Sequence, residues 1–341
     1  MRRISPYPAP VSGLVLCAVL LLMMIGANAV SGAESCKTAN DLDAATRAAI
    51  VSAGQRYFDM AAKGDGANLR QNAMAAGTDL ASMEATVKSH QAEIAGSKGT
   101  VRPPFLLEAE GVVPSAQAEF LCGVFNRRGQ TADSAVFKLE NLAPGKYAVV
   151  IFDAPSANPP SAISFLLQQQ GSDWKLRGLY VTPAEAAGHE ADWFVSQARE
   201  YKGKHELHNA WLYYLQARIL ISPLPFMSTA ATDKLYDESQ PLQPADFPTG
   251  VSTADLEVGA ATYKLIAVFP QAVGDDLDLI VKYQSSDVSD SAVAYQSNLT
   301  VIKALIAKFP ELKDAFAGVV ARAVEPTGRD YGTLLRRKEI K

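Results

Sequence analysis

Motifs of defined chemistry are missing from this sequence. It contains no G-x-S-x-G nucleophile elbow, no P-loop and no G-x-G-x-x-G dinucleotide fingerprint. Side chains that bind metals or act as nucleophiles are scarce too, with four histidines and three cysteines in 341 residues. Nothing in it therefore predicts a cofactor. An excess of charge of one sign is also lacking: 32 Lys and Arg face 36 Asp and Glu, a formal charge of −4. That argues against a broad nucleic-acid-binding surface. Glycine (23) and proline (19) are near ordinary abundance, which excludes a collagen-like or low-complexity chain. Composition also argues against a polytopic membrane protein. What is present is 48% hydrophobic against 20% charged residues, the balance of a soluble chain with a packed core. At roughly 100–200 residues per domain, the length predicts about two domains.

The amino terminus carries the clearest signal. Arg2 and Arg3 form a positive region, Leu14 to Ile25 an apolar core, and Ala27-Asn28-Ala29 or Ser31-Gly32-Ala33 a small-residue cleavage site. This is the pattern of a signal peptide over residues 1–33. The alternative is an uncleaved anchor, since Val11 to Val30 approaches the roughly 20 residues of a membrane span. A secreted or periplasmic chain is expected, with no stable membrane insertion after cleavage. Cleavage removes two arginines, no acid, and Cys17. Cys36 and Cys122 remain, and in an oxidising compartment they are expected to pair. Such a bridge closes a loop of about 85 residues and contributes on the order of 4 kcal/mol.

The mature chain reads as α+β: amphipathic helices on an antiparallel meander, then an αα-hairpin, then a β-hairpin with helices. Residues 34–183 form the first part. A helix over 43–63 places Arg47, Ile50, Val51, Gly54, Tyr57, Phe58 and Ala61 at three- and four-residue steps on a mostly apolar face, with Asp43 as its cap and Gly64-Asp65-Gly66 as its stop. Leu69 to Ile94 repeats the helical spacing, split near Gly77 with Thr78 or Asp79 as a new cap. After Arg102-Pro103-Pro104 the period changes to two. Strands are expected over 118–126, 135–142, 146–152, 162–170 and 174–181, the third apolar on both faces as a central strand is. Residues 184–222 read as a helical hairpin. Residues 223–250, with prolines at 223, 225, 241, 244 and 248, read as a linker. Residues 251–341 read as strands over 261–269 and 277–283, a helix capped near Ser289-Asp290, a further helix from Pro310 through Phe316, Val319 and Ala323, and a basic tail.

Two resemblances follow from these patterns. The two helices before a meander that ends in Trp174-Lys175-Leu176-Arg177-Gly178-Leu179-Tyr180-Val181, with Tyr57-Phe58 ahead of Lys63-Gly64-Asp65, resemble the cystatin-like (nuclear transport factor 2-like) cone over residues 43–183. That resemblance implies an apolar cavity between helix and sheet. Trp193, Ala198, Tyr201, Gly203, Ala210, Tyr214 and Ala217 resemble a single tetratricopeptide-type hairpin over 190–223, which implies a protein partner.

Candidate sites are correspondingly generic. Tyr57, Phe58, Phe137, Phe165 and Trp174 are candidates to line a cavity for a small apolar ligand, with Tyr147 or Asp153 at its mouth; the bland reading has the five aromatics simply filling the core. His205 and His208 are weak metal candidates for a hydrolase, three residues apart rather than the four of H-E-x-x-H and in need of a third ligand such as His189 or Glu190. Asp275, Asp276 and Asp278 read as a solvated turn rather than a cation loop. The leading expectation is a non-catalytic binding or interaction protein. A cavity-bearing small-molecule binder or enzyme is the second, and a metal-dependent hydrolase the last.

Overall fold

The computed structural model describes residues 34–75, 78–127 and 129–340. The expected signal peptide, residues 1–33, lies outside the described residues. The chain begins with β1 (Glu34–Lys37), then α1 (Ala44–Lys63), α2 (Gly66–Gln71) and α3 (Leu80–Ile94). Strands β2 (Thr100–Val101), β3 (Phe105–Ala109), β4 (Ser115–Asn126), β5 (Gly129–Leu142), β6 (Gly145–Ala154), β7 (Ser161–Gln170) and β8 (Asp173–Pro183) follow. The second half holds β9 (Glu185–Ala186), β10 (His189–Glu190), α4 (Ala191–Gly203), α5 (Leu207–Ile221), β11 (Met227–Thr229) and α6 (Ala230–Ser239). It ends with β12 (Ala254–Val258), β13 (Ala261–Val273), β14 (Asp276–Gln284), α7 (Ser291–Lys308), α8 (Leu312–Ala315), β15 (Gly318–Val324) and β16 (Asp330–Arg336). The protein is α+β, as its sequence periods imply.

The helices start where their caps place them. Asp43 accepts from the Thr46 N–H at 2.8 Å, Asp79 from Ser82 at 2.9 Å, and Asp290 from both Ala292 and Val293. Gly64 ends α1 in the left-handed region at φ 69°.

The N-terminal half has three layers. The central sheet runs β1-β3-β6-β7-β8, with β2 also on β6. Because side chains alternate along β6, Ala148, Val150 and Phe152 face the helices while Tyr147, Val149 and Ile151 face the other way. α1 crosses the first face so closely that a Cβ on Gly54 would lie 2.7 Å from Val150 Cγ1. The opposite face is covered by a smaller sheet, β11-β5-β4, which contributes Phe120, Cys122, Phe137 and Leu139. The expected meander is therefore broken: β5 does not pair with β6 but folds over onto the far side of the sheet. The pairing predicted for Cys36 and Cys122 is present, with Cα atoms 5.0 Å apart, and it joins β1 of the central sheet to β4 of the smaller one.

The C-terminal half is built on the sheet β12-β13-β14-β15-β16, antiparallel except for β14 and β15, which α7 connects in parallel. One face of that sheet shares a core with α5, α7 and the α4 side chains Phe194 and Ala198. α5 is apolar around most of its circumference and is buried from Asn209 to Tyr214, as expected of a helix packed on all sides.

Two sequence expectations are corrected here. The Pro-rich stretch is not a linker. Its prolines bracket a run without proline, and that run forms β11, which pairs with β5, and α6, capped by Thr229 with a reciprocal Thr232 bond. The helix expected from Pro310 to Ala323 stops at Ala315. Gly318 to Val324 is a strand whose Val319, Ala321 and Ala323 point inward, and much of the supposed basic tail is β16, with Arg336 paired to Asp276 at 2.7 Å. Valine pairs and strict alternation favour the extended form there.

Candidate functional site

Several separated segments meet in a cleft of about 850 Å³. Its walls are the turn after β1 (Thr38 to Asp41), the first turns of α1 (Arg47, Val51), the loop between β2 and β3 (Arg102, Pro103, Pro104) and the β4–β5 hairpin with β11. The apolar lining comes mainly from Val51, Val101, Pro104, Phe105, Val124 and Met227.

Each wall is fixed by a local cause. Asp41 Oδ2 accepts from both the Thr38 N–H (2.9 Å) and its hydroxyl (2.6 Å), which locks the turn. The Thr38 hydroxyl, followed by its N–H, holds the Asp41 carboxyl below the usual range, so it stays ionised. Arg102 lies flat against Asp153, with Nε 3.0 Å from each carboxylate oxygen and Nη2 2.5 Å from Oδ1. On the far wall the β4–β5 register slips between Gly123 and Phe125. Gly123 sits at φ 82°, and a Cβ there would collide with the Asp133 carbonyl oxygen, so the bulge requires glycine. The free carbonyl of Val124 is taken by the Thr131 hydroxyl at 2.6 Å.

The disulfide lies behind these walls. Cys36 is two residues before Thr38, and Cys122 immediately precedes Gly123. One covalent bond thus sets the distance between the β1 turn and the bulged hairpin.

The residues singled out from sequence fall elsewhere. Tyr57, Phe58, Phe165 and Trp174 do share the core between the helices and the central sheet. They fill it: Phe58 packs at a tilt against Phe152 with ring centroids 4.8 Å apart, Phe152 meets Phe165 at 6.0 Å, and the Tyr57 hydroxyl donates to the Trp174 carbonyl at 2.9 Å. Phe137 is not with them. The fold-over of β5 puts it on the other side of the sheet, in edge contact with Phe105 at 5.1 Å. Tyr147 is on that side too, its hydroxyl donating to the Ala143 carbonyl at 2.7 Å. Asp153 serves the cleft indirectly, by holding Arg102.

His205 and His208 are separated in role. His205 occupies the turn between α4 and α5 at φ 64°. His208 is wedged between two carboxylates, Nδ1 2.8 Å from Glu311 Oε1 and Nε2 3.0 Å from Asp246 Oδ1, with Phe309 and Phe247 against its ring. Both ring nitrogens are thus taken up by carboxylates of the fold itself. His189 stacks on Trp193 at 3.8 Å instead of reaching this region. Of the acidic trio, Asp276 bonds Arg336, while Asp278 is 1% exposed and its Oδ1 has no hydrogen-bond partner among the described residues. Burial raises the Asp278 carboxyl above its usual range. Among the described residues no group of three or more His, Cys, Asp or Glu is placed to hold a metal ion. No helix among them is long and apolar enough to cross a membrane.

The cleft itself was not visible in the sequence. Its clearest trace is the run Val101-Arg102-Pro103-Pro104-Phe105, which reads only as a helix breaker until β2 and β3 are seen on either side of it.

Comparison with protein families, with curated proteins and with solved structures finds no match.

Proposed function

We propose that this chain is an exported binding protein without chemistry of its own, and that its ligand occupies the cleft between α1 and the disulfide-tied β4–β5 hairpin. The observation that carries the proposal is the coupling of that cleft to the Cys36–Cys122 bridge, which fixes two of its walls. Such pre-set walls lower the ordering cost of binding. The lining mixes apolar side chains with a few charged ones, the usual make-up of a small-molecule site, and contains neither histidine nor cysteine. The bridge also supports export, since disulfides persist in oxidising compartments. The helical hairpin offers less for a partner: its second helix is consumed by internal packing.

The test is native mass spectrometry of the protein purified gently from its own compartment, alongside Val51→Trp. Val51 is half-buried on the cleft wall, and an indole there fills the space. The proposal expects a bound small mass in the parent protein that the variant loses. A mass retained equally by both proteins would place the ligand elsewhere and overturn it.

A further inference from the structure

We infer, resting on the reading of the cleft as a binding site, that its ligand is a short apolar peptide with both termini free. Four charged side chains line the cleft: Arg47, Arg102, Asp41 and Asp133. Two already have partners within the fold. Arg102 is gripped by Asp153 through two of its nitrogens, and the Asp41 carboxylate is capped by Thr38. The other two are not. Among the described residues neither the Arg47 guanidinium nor the Asp133 carboxylate has a hydrogen-bond or ion-pair partner, and both residues are exposed.

The lining thus offers one unspent cation and one unspent anion, with Val51, Pro104, Phe105, Val124 and Met227 as apolar wall. A ligand with a single negative group would answer Arg47 and meet Asp41 and Asp133 as like charges. A single positive group would answer Asp133 and leave Arg47 unanswered. A zwitterion answers both unspent groups. Its carboxylate goes to Arg47, in the fork geometry that guanidinium favours, and its ammonium goes to Asp133. The volume of about 850 Å³ lies in the upper part of the range of small-ligand pockets, too large for a free amino acid alone. Apolar residues between the two ends suit the wall. No backbone rearrangement is required, because the bridge and the Gly123 bulge already hold the cleft open.

The test uses the oxidised full mature chain and a pool of tetrapeptides composed of Ala, Val, Leu and Pro, screened by ligand-detected NMR. The strongest binder is then titrated free, N-acetylated and C-amidated. Blocking either end should weaken binding about threefold to fivefold, the worth of one partly exposed charge pair. Arg47→Ala should abolish the difference between acid and amide while keeping the effect of acetylation. Asp133→Asn should do the reverse. Because both residues are exposed, neither change threatens the fold. Equal binding of free and blocked peptides would overturn the inference. If decanoate protects the cleft segments from hydrogen exchange and no peptide binds, the peptide inference fails and the binding reading survives. If neither probe binds, both fail.

Discussion

In the N-terminal half the layers are closed by a covalent bridge and by aromatic packing, and its buried polar residues among those described are four serines: Ser97, Ser134, Ser161 and Ser164. In the C-terminal half no bridge is present among the described residues, and the buried polar set includes Asn209, Gln216, Asp278, Asn298 and Glu325. Most of these make specific bonds. Asn298 accepts from the Tyr283 hydroxyl at 2.8 Å and donates to Thr333 and to the Tyr331 carbonyl. Glu325 accepts from the Val288 N–H at 2.7 Å and from Arg329. Apolar burial is strong but indifferent to angle, whereas a buried amide is satisfied in few arrangements. The first half thus carries a cleft whose shape is set by a bridge, and the second carries a sheet whose register is set by polar bonds. One half should answer to redox conditions, the other to pH and to single polar substitutions.

Removing the bridge should produce the largest effect. Cys36→Ala with Cys122→Ala deletes a crosslink across 86 residues, worth about 4 kcal/mol in the chain-entropy account. Denaturant unfolding should show that loss in a transition reported by Trp174, and reductant should have no further effect on the variant. A loss of stability confined to the second half would break the contrast between the halves.

The polar half should respond next. Asn298→Leu leaves the Tyr283 hydroxyl and the Thr333 hydroxyl without their partner inside the core, a cost of about 2–3 kcal/mol. Burial already raises the Tyr283 hydroxyl, so it cannot escape by ionising. Asn298 heads an Asn-Leu-Thr sequon, but it is fully buried within α7, so no glycan is expected there in the folded protein.

A smaller and pH-dependent effect belongs to Glu238. Its carboxylate receives Arg199 through two nitrogens at 2.7 Å and the Tyr214 hydroxyl at 2.7 Å, tying α4 and α5 to α6. The Arg199 bond, against some desolvation, lowers the Glu238 carboxyl from 4.5 to about 2, and burial lifts the Tyr214 hydroxyl to about 12. A depressed carboxyl contributes stability that is complete above its unfolded value of 4.5 and is lost as pH falls towards about 2. Glu238→Gln should cost about 1 kcal/mol at pH 7, since Arg199 is half exposed, and should flatten the decline of thermal stability across that acid window.

The smallest effect has the opposite sign. Asp278 is buried with one oxygen unpartnered, and Arg336, 3.7 Å away, is already engaged by Asp276. A raised carboxyl makes the folded state less favourable as pH rises above the unfolded value of 3.8. Asp278→Asn should therefore stabilise the protein by up to about 1 kcal/mol at neutral pH, with the gain shrinking in acid.

Legibility in the sequence followed local regularity. α1 was readable to within a residue, because Asp43, a mostly apolar stripe and Gly64 all agreed. The α4–α5 hairpin and the β13–β14 pair were readable for the same reason. β15 was not: Leu312, Phe316, Val319 and Ala323 fall at helical steps, while Val319, Ala321 and Ala323 fall at strand steps, and only pairing with β14 decides between them. β11 and α6 were hidden because prolines on both sides masked the run between them. The cleft was the least legible feature. Its charged and apolar groups come from residues near 40, 50, 103, 124, 133 and 228, and no periodicity links them. The aromatics that were legible mark a filled core rather than an opening.

Hydrogen exchange of the oxidised protein, with and without the strongest-binding tetrapeptide, tests the central claim most directly. Protection should concentrate in residues 38–51, 101–105, 123–135 and 227–229, and should vanish when Cys36 and Cys122 are reduced. Protection confined to the region around His208 and residues 240–255, or unchanged by reduction, would contradict the claim that the bridge-set cleft is the binding site.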